Sequence, residues 1–226
     1  MPHAEVDFTL TVRGALALRG GARDARGRLV LPASQVKGRL RHACEQVARA
    51  VGLAVCRPPD AATMCPQAPQ VAAPPCAVCA LFGSPAWPSP LRWRDLHASL
   101  EPAGGRGAAV FARAGVALDR RLGVALPGSA YLLETSPPLP GDGLQFAAEP
   151  AVVGHVADAA PLHLLLAGCR LVASFGAGAT RGLGWSAVEA VARLDGAPLV
   201  FDPMALGRLD AGSGGPRGES QRHNGP

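Results

Sequence analysis

Four cysteines fall within one irregular stretch, "CRPPDAATMCPQAPQVAAPPCAVC", as Cys56, Cys65, Cys76 and Cys79. Cys76 and Cys79 form a CxxC, a spacing that lets two thiolates grip one tetrahedral ion, and the other two can complete four sulfur ligands. Zn2+ suits such a set, and four thiolates leave no open position for chemistry, so the ion would be structural. The prolines argue the same way: a segment this poor in apolar residues cannot fold around a core of its own, and a metal would supply the missing stability. Unrelated thiols or a redox pair are the alternatives, but no thioredoxin-like strand-helix-strand context surrounds the CxxC. His42 or Cys44 could replace one ligand, although Cys44, like Cys169, falls on an apolar pattern that suits a buried thiol.

A second group of residues could hold an anion. "SFGAGATRGLGW", residues 174–185, has four glycines, the Thr180 hydroxyl, the Arg181 guanidinium and no acid. The spacing is neither a Rossmann fingerprint nor a P-loop, which leaves an anion-cradling loop or a plain structural turn. Upstream, Lys37 is the only lysine of the chain. It lies four residues before Arg41, off the apolar stripe of a predicted helix and near its N-terminus, where free amides and the helix dipole favour phosphate.

The elements that must position these groups read as an α+β domain. Val6, Phe8, Leu10 and Val12 alternate with Asp7, Thr9, Thr11 and Arg13, which predicts a half-buried strand. "RGGARDARGR" reads as a long loop. Val36, Leu40, Cys44, Val47 and Val51 recur at helical steps, with Ser34 as the expected cap and Gly38 either a cost of about 1 kcal/mol or a mark of close backbone contact. "LRWRDLHASL" reads as a strand, "EPAGGRGAAVFARAG" as a flexible excursion, and "VALDRRLGVALPGSAYLLETSPP" as a hairpin turning at Pro127 and Gly128. "LHLLLAGCRLVASFG" predicts a helix then a strand, and "WSAVEAVARLDG" the second strand of a hairpin.

With 226 residues the chain can bury one full core, and one domain is expected over residues 1–208, with a disordered tail over 209–226. No apolar run is long enough to span a bilayer and no signal pattern opens the chain, so a cytoplasmic protein with reduced cysteines and no membrane partner is expected. The net charge of +5 is uneven: residues 1–57 hold ten Lys and Arg against Glu5, Asp7, Asp24 and Glu45. A basic surplus in one segment is the footprint of a polyanion partner, or else a solvated basic face.

In order along the chain, "PASQVKGRLR", "CAVCALFGS", "RAGVALDRRLGVALPGSAYLLETSPP" and "GAGATRGLGW" resemble four segments of the RAMP proteins that form the backbone of type III CRISPR-Cas effector complexes. The resemblance runs from about residue 5 to 195. It implies a ferredoxin-like, RRM-type α+β fold with a cysteine-rich zinc-binding insertion, at about 52–90 here, and a thumb-like hairpin, placed by position at about 101–115. It implies a subunit that binds CRISPR RNA, meets target RNA and stacks on other RAMP subunits. Carried over residue by residue, the RNA contacts would be Gly21, Ser34, Lys37, Arg41, Gly178, Thr180, Arg181 and Gly182. Ala33 and Gln35 depart from the family's glycine and serine and remove a hydroxyl from the phosphate site. Catalytic relatives place an aspartate in a longer loop before the helix; the only acid in that loop here is Asp24, which would help hold Mg2+ for target-RNA cleavage if it has that role. The alternatives are an ordinary loop charge paired with Arg23 or Arg26, a non-catalytic RNA-binding scaffold, or a metal-independent endoribonuclease for precursor CRISPR RNA using His42, His97, His155 or His163.

Overall fold

The computed structural model of the chain describes residues 1–17, 23–58, 64–66, 75–99, 111–136 and 143–210. Strand β1 (His3–Val12) alternates as its sequence predicts, with Val6, Phe8, Leu10 and Val12 buried and the residues between them half-exposed. It is the axis of the sheet. Antiparallel neighbours flank it on both sides, β7 (Leu144–His155) and β8 (Ser186–Leu194). Beyond β7 lie β4 (Leu96–Ala98) and then β2 (Val30–Leu31); β3 (Leu91–Trp93) also pairs with β7, and β9 (Ala197–Leu199) closes the far edge.

Two helices cover the apolar face of this seven-stranded sheet, α1 (Ala33–Ala50) and α3 (Ala160–Leu171). In chain order β1, α1, β4, β7, α3 and β8 form a β-α-β-β-α-β series, with β1 and β7 central. The helices meet at Cys44 and Gly168: a Cβ on Gly168 would lie 2.5 Å from the Cys44 sulfur, so only glycine permits this approach. Cys44 and Cys169 are buried thiols, as their apolar patterns predict, and burial pushes Cys169 up to about 12. On α1 the buried stripe is Val36, Leu40, Ala43, Cys44 and Ala48, whereas Val51 is exposed just beyond the helix. The short helix α2 (Ala77–Phe82) carries the CxxC and is fixed to the sheet by Trp93, which stacks between Phe8 and Phe82.

Strands β5 (Phe111–Leu118) and β6 (Ala125–Thr135) form a separate two-stranded sheet, exposed along nearly its whole length. It overlaps the expected 101–115 hairpin only at its last residues, since 100–110 lie outside the described residues. The reversal is not at Pro127 and Gly128. It is made at Asp119–Gly123, where the Asp119 carboxylate accepts the amides of Arg121 and Leu122 at 2.8 and 2.9 Å and Gly123 adopts φ +68°. Pro127 and Gly128 instead sit in an irregularity of β6, between the Leu118–Ala125 and Val116–Ala130 pairs, which an isolated two-stranded ribbon tolerates. "VASF" yields only a single bridge, Ser174 to Trp185. Leu209, in the last described turn (Pro203–Asp210), packs against the core. Of the tail expected over 209–226, residues 211–226 lie outside the described residues.

Candidate nucleic-acid interface and cysteine cluster

Helix α1 starts without the Ser34 cap expected of it. The N-cap position is Pro32, and Ser34 is an exposed residue of the first turn. The Ala33 amide is satisfied from across the chain, by the Asp95 carboxylate at 2.7 Å, because Pro32 has no side chain that can accept it. Ser34, Lys37, Gly38 and Arg41 line one side of a groove of about 500 Å3, and Gly83 and Trp87 line the other. A Cβ at Gly38 would meet nothing within 4 Å. The helix backbone is therefore open to a ligand here rather than pressed against protein.

The two cations of this groove have different jobs. Lys37 makes no ion pair or hydrogen bond with the described residues, and partial desolvation and then the nearby Arg41 push its pKa down. Arg41 is fully engaged: Nη1 donates to the Gly83 carbonyl at 2.7 Å, Nε to Glu45 at 3.2 Å and Nη2 to the Cys79 sulfur at 3.2 Å. Burial opposes its charge, but the Cys79 sulfur and the Glu45 carboxylate outweigh that and raise its pKa. Glu45 is itself buried, and its other oxygen faces Arg49 at 3.5 Å, while Arg49 also donates to the Cys56 carbonyl. Arg41, Glu45 and Arg49 thus tie α1 to the cysteine segment.

The four cysteines come together as expected. Their sulfurs all lie within 4.8 Å of one another, with Cys56 to Cys79 at 3.4 Å and Cys76 to Cys56 at 3.9 Å. A tetrahedral ion with bonds of about 2.3 Å needs sulfurs about 3.8 Å apart, so the set fits Zn2+. The hydrogen bond from Cys79 holds the Cys76 thiol down at about 4, and in return the Cys79 thiol is pushed up; one proton shared between two sulfurs is a feature a metal would replace. Arg41 adds a positive charge beside this thiolate set and orients one ligand, as second partners of metal ligands do. Neither His42 nor Cys44 belongs to the cluster.

Both carboxylate oxygens of Asp24 are engaged by the protein. Its Oδ1 accepts the amides of Arg26 and Arg28, both at 2.9 Å, and its Oδ2 accepts Arg28 Nε at 2.7 Å and faces His97 Nδ1 at 3.2 Å. Burial would raise its pKa, but the Arg28 hydrogen bonds and the Arg26 amide override that and hold it at about 2. The Arg26 and Arg28 amides, the Arg28 guanidinium and His97 occupy all four lone-pair directions, and among the described residues no group of three or more potential metal ligands includes Asp24. Asp24 closes a tight turn bounded by the Arg23–Leu29 bridge. Gly21 lies outside the described residues.

The glycine-rich loop is largely explained by packing. A Cβ on Gly184, at φ +67°, would lie 1.8 Å from the Phe175 carbonyl oxygen, and one on Gly176 2.6 Å from that of Ala17. Gly182 differs, because nothing lies within 4 Å of its missing Cβ. The exposed tip is Thr180, Arg181 and Gly182, with Gly178 opening the turn that carries them. Arg181 donates to the Tyr131 hydroxyl of β6 and lies 5.1 Å from that ring's centroid. The tip therefore rests on the projecting hairpin and not on the Lys37 groove, and no hydrogen bond or ion pair among the described residues joins the two. What does join α1 to the loop is Arg39, whose guanidinium donates to the Ser174 carbonyl and hydroxyl at 2.9 and 2.7 Å.

The arrangement is that of a small α+β nucleic-acid-binding protein built on an antiparallel sheet, with cations on a helix and a loop and a cysteine cluster fit for a structural metal. The sequence profile of the RAMP superfamily matches residues 9–189. This chain belongs to the RAMP superfamily, and is thereby a CRISPR-associated protein of an RNA-binding group. No curated protein matches it. No helix among the described residues is long and apolar enough to cross a membrane.

Proposed function

We propose that this chain is a guide-RNA-binding backbone subunit of a type III CRISPR-Cas effector complex, working in the cytoplasm in antiviral defence. Its β-α-β-β-α-β series with β1 and β7 central supports the ferredoxin-like assignment. The observation that carries the reading is Lys37: the chain's only lysine has no partner among the described residues and stands in an open groove beside the first turns of α1, where phosphate is favoured. Arg181, Thr180 and Gly182 supply a second backbone contact, and the β5–β6 hairpin takes the thumb's role between guide and target RNA. Zn2+ on the four cysteines holds the α2 segment in shape, which keeps the far wall of the Lys37 groove in place. The saturated contacts of Asp24 favour a scaffold over a subunit that cleaves target RNA through that residue.

The test is purification with the neighbouring subunits, sequencing of bound RNA and metal analysis of the same sample. RNAs of uniform length with a common repeat-derived end, and about one zinc per chain, are expected. Lys37→Ala should weaken RNA binding and lower its salt slope by about 0.7 with the fold intact; a complex free of RNA refutes the reading.

One observation favours a metal-independent endoribonuclease instead. His3 and His155 are cross-strand partners with ring centroids 5.3 Å apart, beside Arg92 in a cavity of about 480 Å3. Cleavage of a repeat RNA by the isolated chain in EDTA, lost on His155→Ala, would establish that second reading.

A further inference from the structure

The sheet face turned away from the helices changes character along its length. At the β1 N-terminal end it is acidic: Asp7 pairs with Arg193, and Glu5 and Glu149 stand close enough to raise that arginine's pKa. At the other end the β1–β8 register, Val12 opposite Ser186, continues by one residue, because the Arg13 amide donates to the Trp185 carbonyl at 2.7 Å. Arg13 and Trp185 are therefore cross-strand neighbours on the face of Thr11 and Ala187, the uncovered one.

Trp185 is 55% exposed. The other two tryptophans are sheltered, Trp93 between two phenylalanines and Trp87 half-buried in the groove wall. Nothing about the backbone at Trp185 is loose: Gly184 is locked against the Phe175 carbonyl, the Ser174 bridge holds the strand, and Arg13 holds it from the other side. A rigidly carried indole left in water, beside an exposed guanidinium with no partner among the described residues, is unsatisfied on both counts. An apolar protein surface would cover the ring but strip water from Arg13 without a counter-charge. A nucleotide satisfies both, with its base on the ring and its phosphate on the cation.

We propose that Trp185 and Arg13 form a stacking platform for one base of single-stranded RNA, with Arg13 pairing the adjoining phosphate. This rests on the RNA-binding reading above and adds a contact that neither the groove nor the loop tip supplies. No base-edge donor or acceptor is needed, so the platform accepts any base.

The experiment uses the full chain and a labelled single-stranded RNA of mixed sequence, with anisotropy for affinity and iodide quenching of tryptophan fluorescence for access to the indole. Protection of the exposed tryptophan by RNA is expected. Trp185→Ala should weaken binding by roughly 5- to 150-fold at an unchanged salt slope, Trp185→Phe should retain most of it, and Arg13→Ala should lower the slope by about 0.7. Binding that falls with Lys37→Ala but ignores Trp185→Ala overturns the platform and leaves the RNA-binding reading standing. So does protection of Trp185 by neighbouring subunits in the absence of RNA, which would make it a protein contact. Wild-type chain that binds no RNA, alone or with its neighbours, overturns both.

Discussion

Replacing Arg41 by alanine separates two roles that its place beside Lys37 would otherwise merge. The side chain makes three hydrogen bonds, at 2.7, 3.2 and 3.2 Å, to a carbonyl, a buried carboxylate and a cysteine sulfur. Bonds to charged partners contribute about 1.5–3 kcal/mol each and a neutral one about 1 kcal/mol. The sum must be discounted, because Glu45 keeps Arg49 at 3.5 Å and a fifth of Arg41 stays in solvent. A loss of about 2–4 kcal/mol remains, a fall in Tm of roughly 5–15 °C for a domain of this size. Zinc retention should fall as well, by about 10- to 100-fold in affinity, since the guanidinium supports a ligand sulfur. Arg41→Lys should not rescue either property, because one ammonium cannot span three acceptors. RNA bound to the zinc-loaded variant should show an unchanged salt slope, measured by anisotropy across salt, whereas Lys37→Ala shows the reverse pattern of intact Tm and reduced slope. A stable, zinc-retaining Arg41→Ala chain whose slope drops by about 0.7 would refute the reasoning and return Arg41 to the RNA contacts.

Stripping zinc with a chelator, or Cys79→Ser, should lower the melting temperature and loosen α2, seen as increased quenching of Trp87 and Trp93; an unchanged melt and unchanged quenching would remove the structural role of the cluster. Gly38→Ala should stabilise the chain by about 1 kcal/mol in urea unfolding, since its Cβ meets open space, whereas Gly184→Ala should prevent stable folding, since its Cβ would meet a carbonyl oxygen at 1.8 Å. The folded Asp24 pKa of about 2 lies below its ordinary value of 3.8, so its stabilising effect is complete above pH 4 and is lost as pH falls toward 2. Carbon-detected NMR should follow its carboxyl through that range, and a midpoint near 4 would show that the Arg28 contacts do not persist in solution.

The local patterns were legible and the distant ones were not. Strict alternation placed β1 because one face of a strand repeats every second residue, and the CxxC with two further cysteines located the cluster because tetrahedral sulfur ligation leaves a spacing. Ser34 misled because its type suits a cap, while the acceptor at the helix start comes from Asp95, 62 residues away. Arg39 and Ser174 are 135 apart. Such pairs exist only after the chain has folded. Arg41, Glu45 and Arg49 did leave a signal, an acid flanked at four-residue steps by two arginines. That spacing resembles an exposed helix face, and only the cysteine segment packed over it shows that Glu45 is buried. The hairpin turn was expected at Pro127 and Gly128, but the reversal is at Asp119–Gly123, because a carboxylate that accepts two amides closes it, whereas proline fits an irregular ribbon.

The sheet itself limits how RNA can be held. RRM-type domains take bases on aromatic residues in the middle of the open sheet face, and here the middle of that face carries Asp7, Thr9 and Glu189, with Glu5 and Glu149 around Arg193. Phosphates would be repelled there, and among the described residues no Phe, Tyr or Trp stands in the middle of that face to stack. The groups able to meet RNA stand elsewhere: Lys37 on a helix, Arg181 on a loop tip against the hairpin, and Trp185 with Arg13 where the sheet ends. RNA that met all three would cross the margin of the domain and contact each only briefly. Such contacts read length and backbone geometry rather than sequence, which is what the proposed guide-RNA-binding role would require.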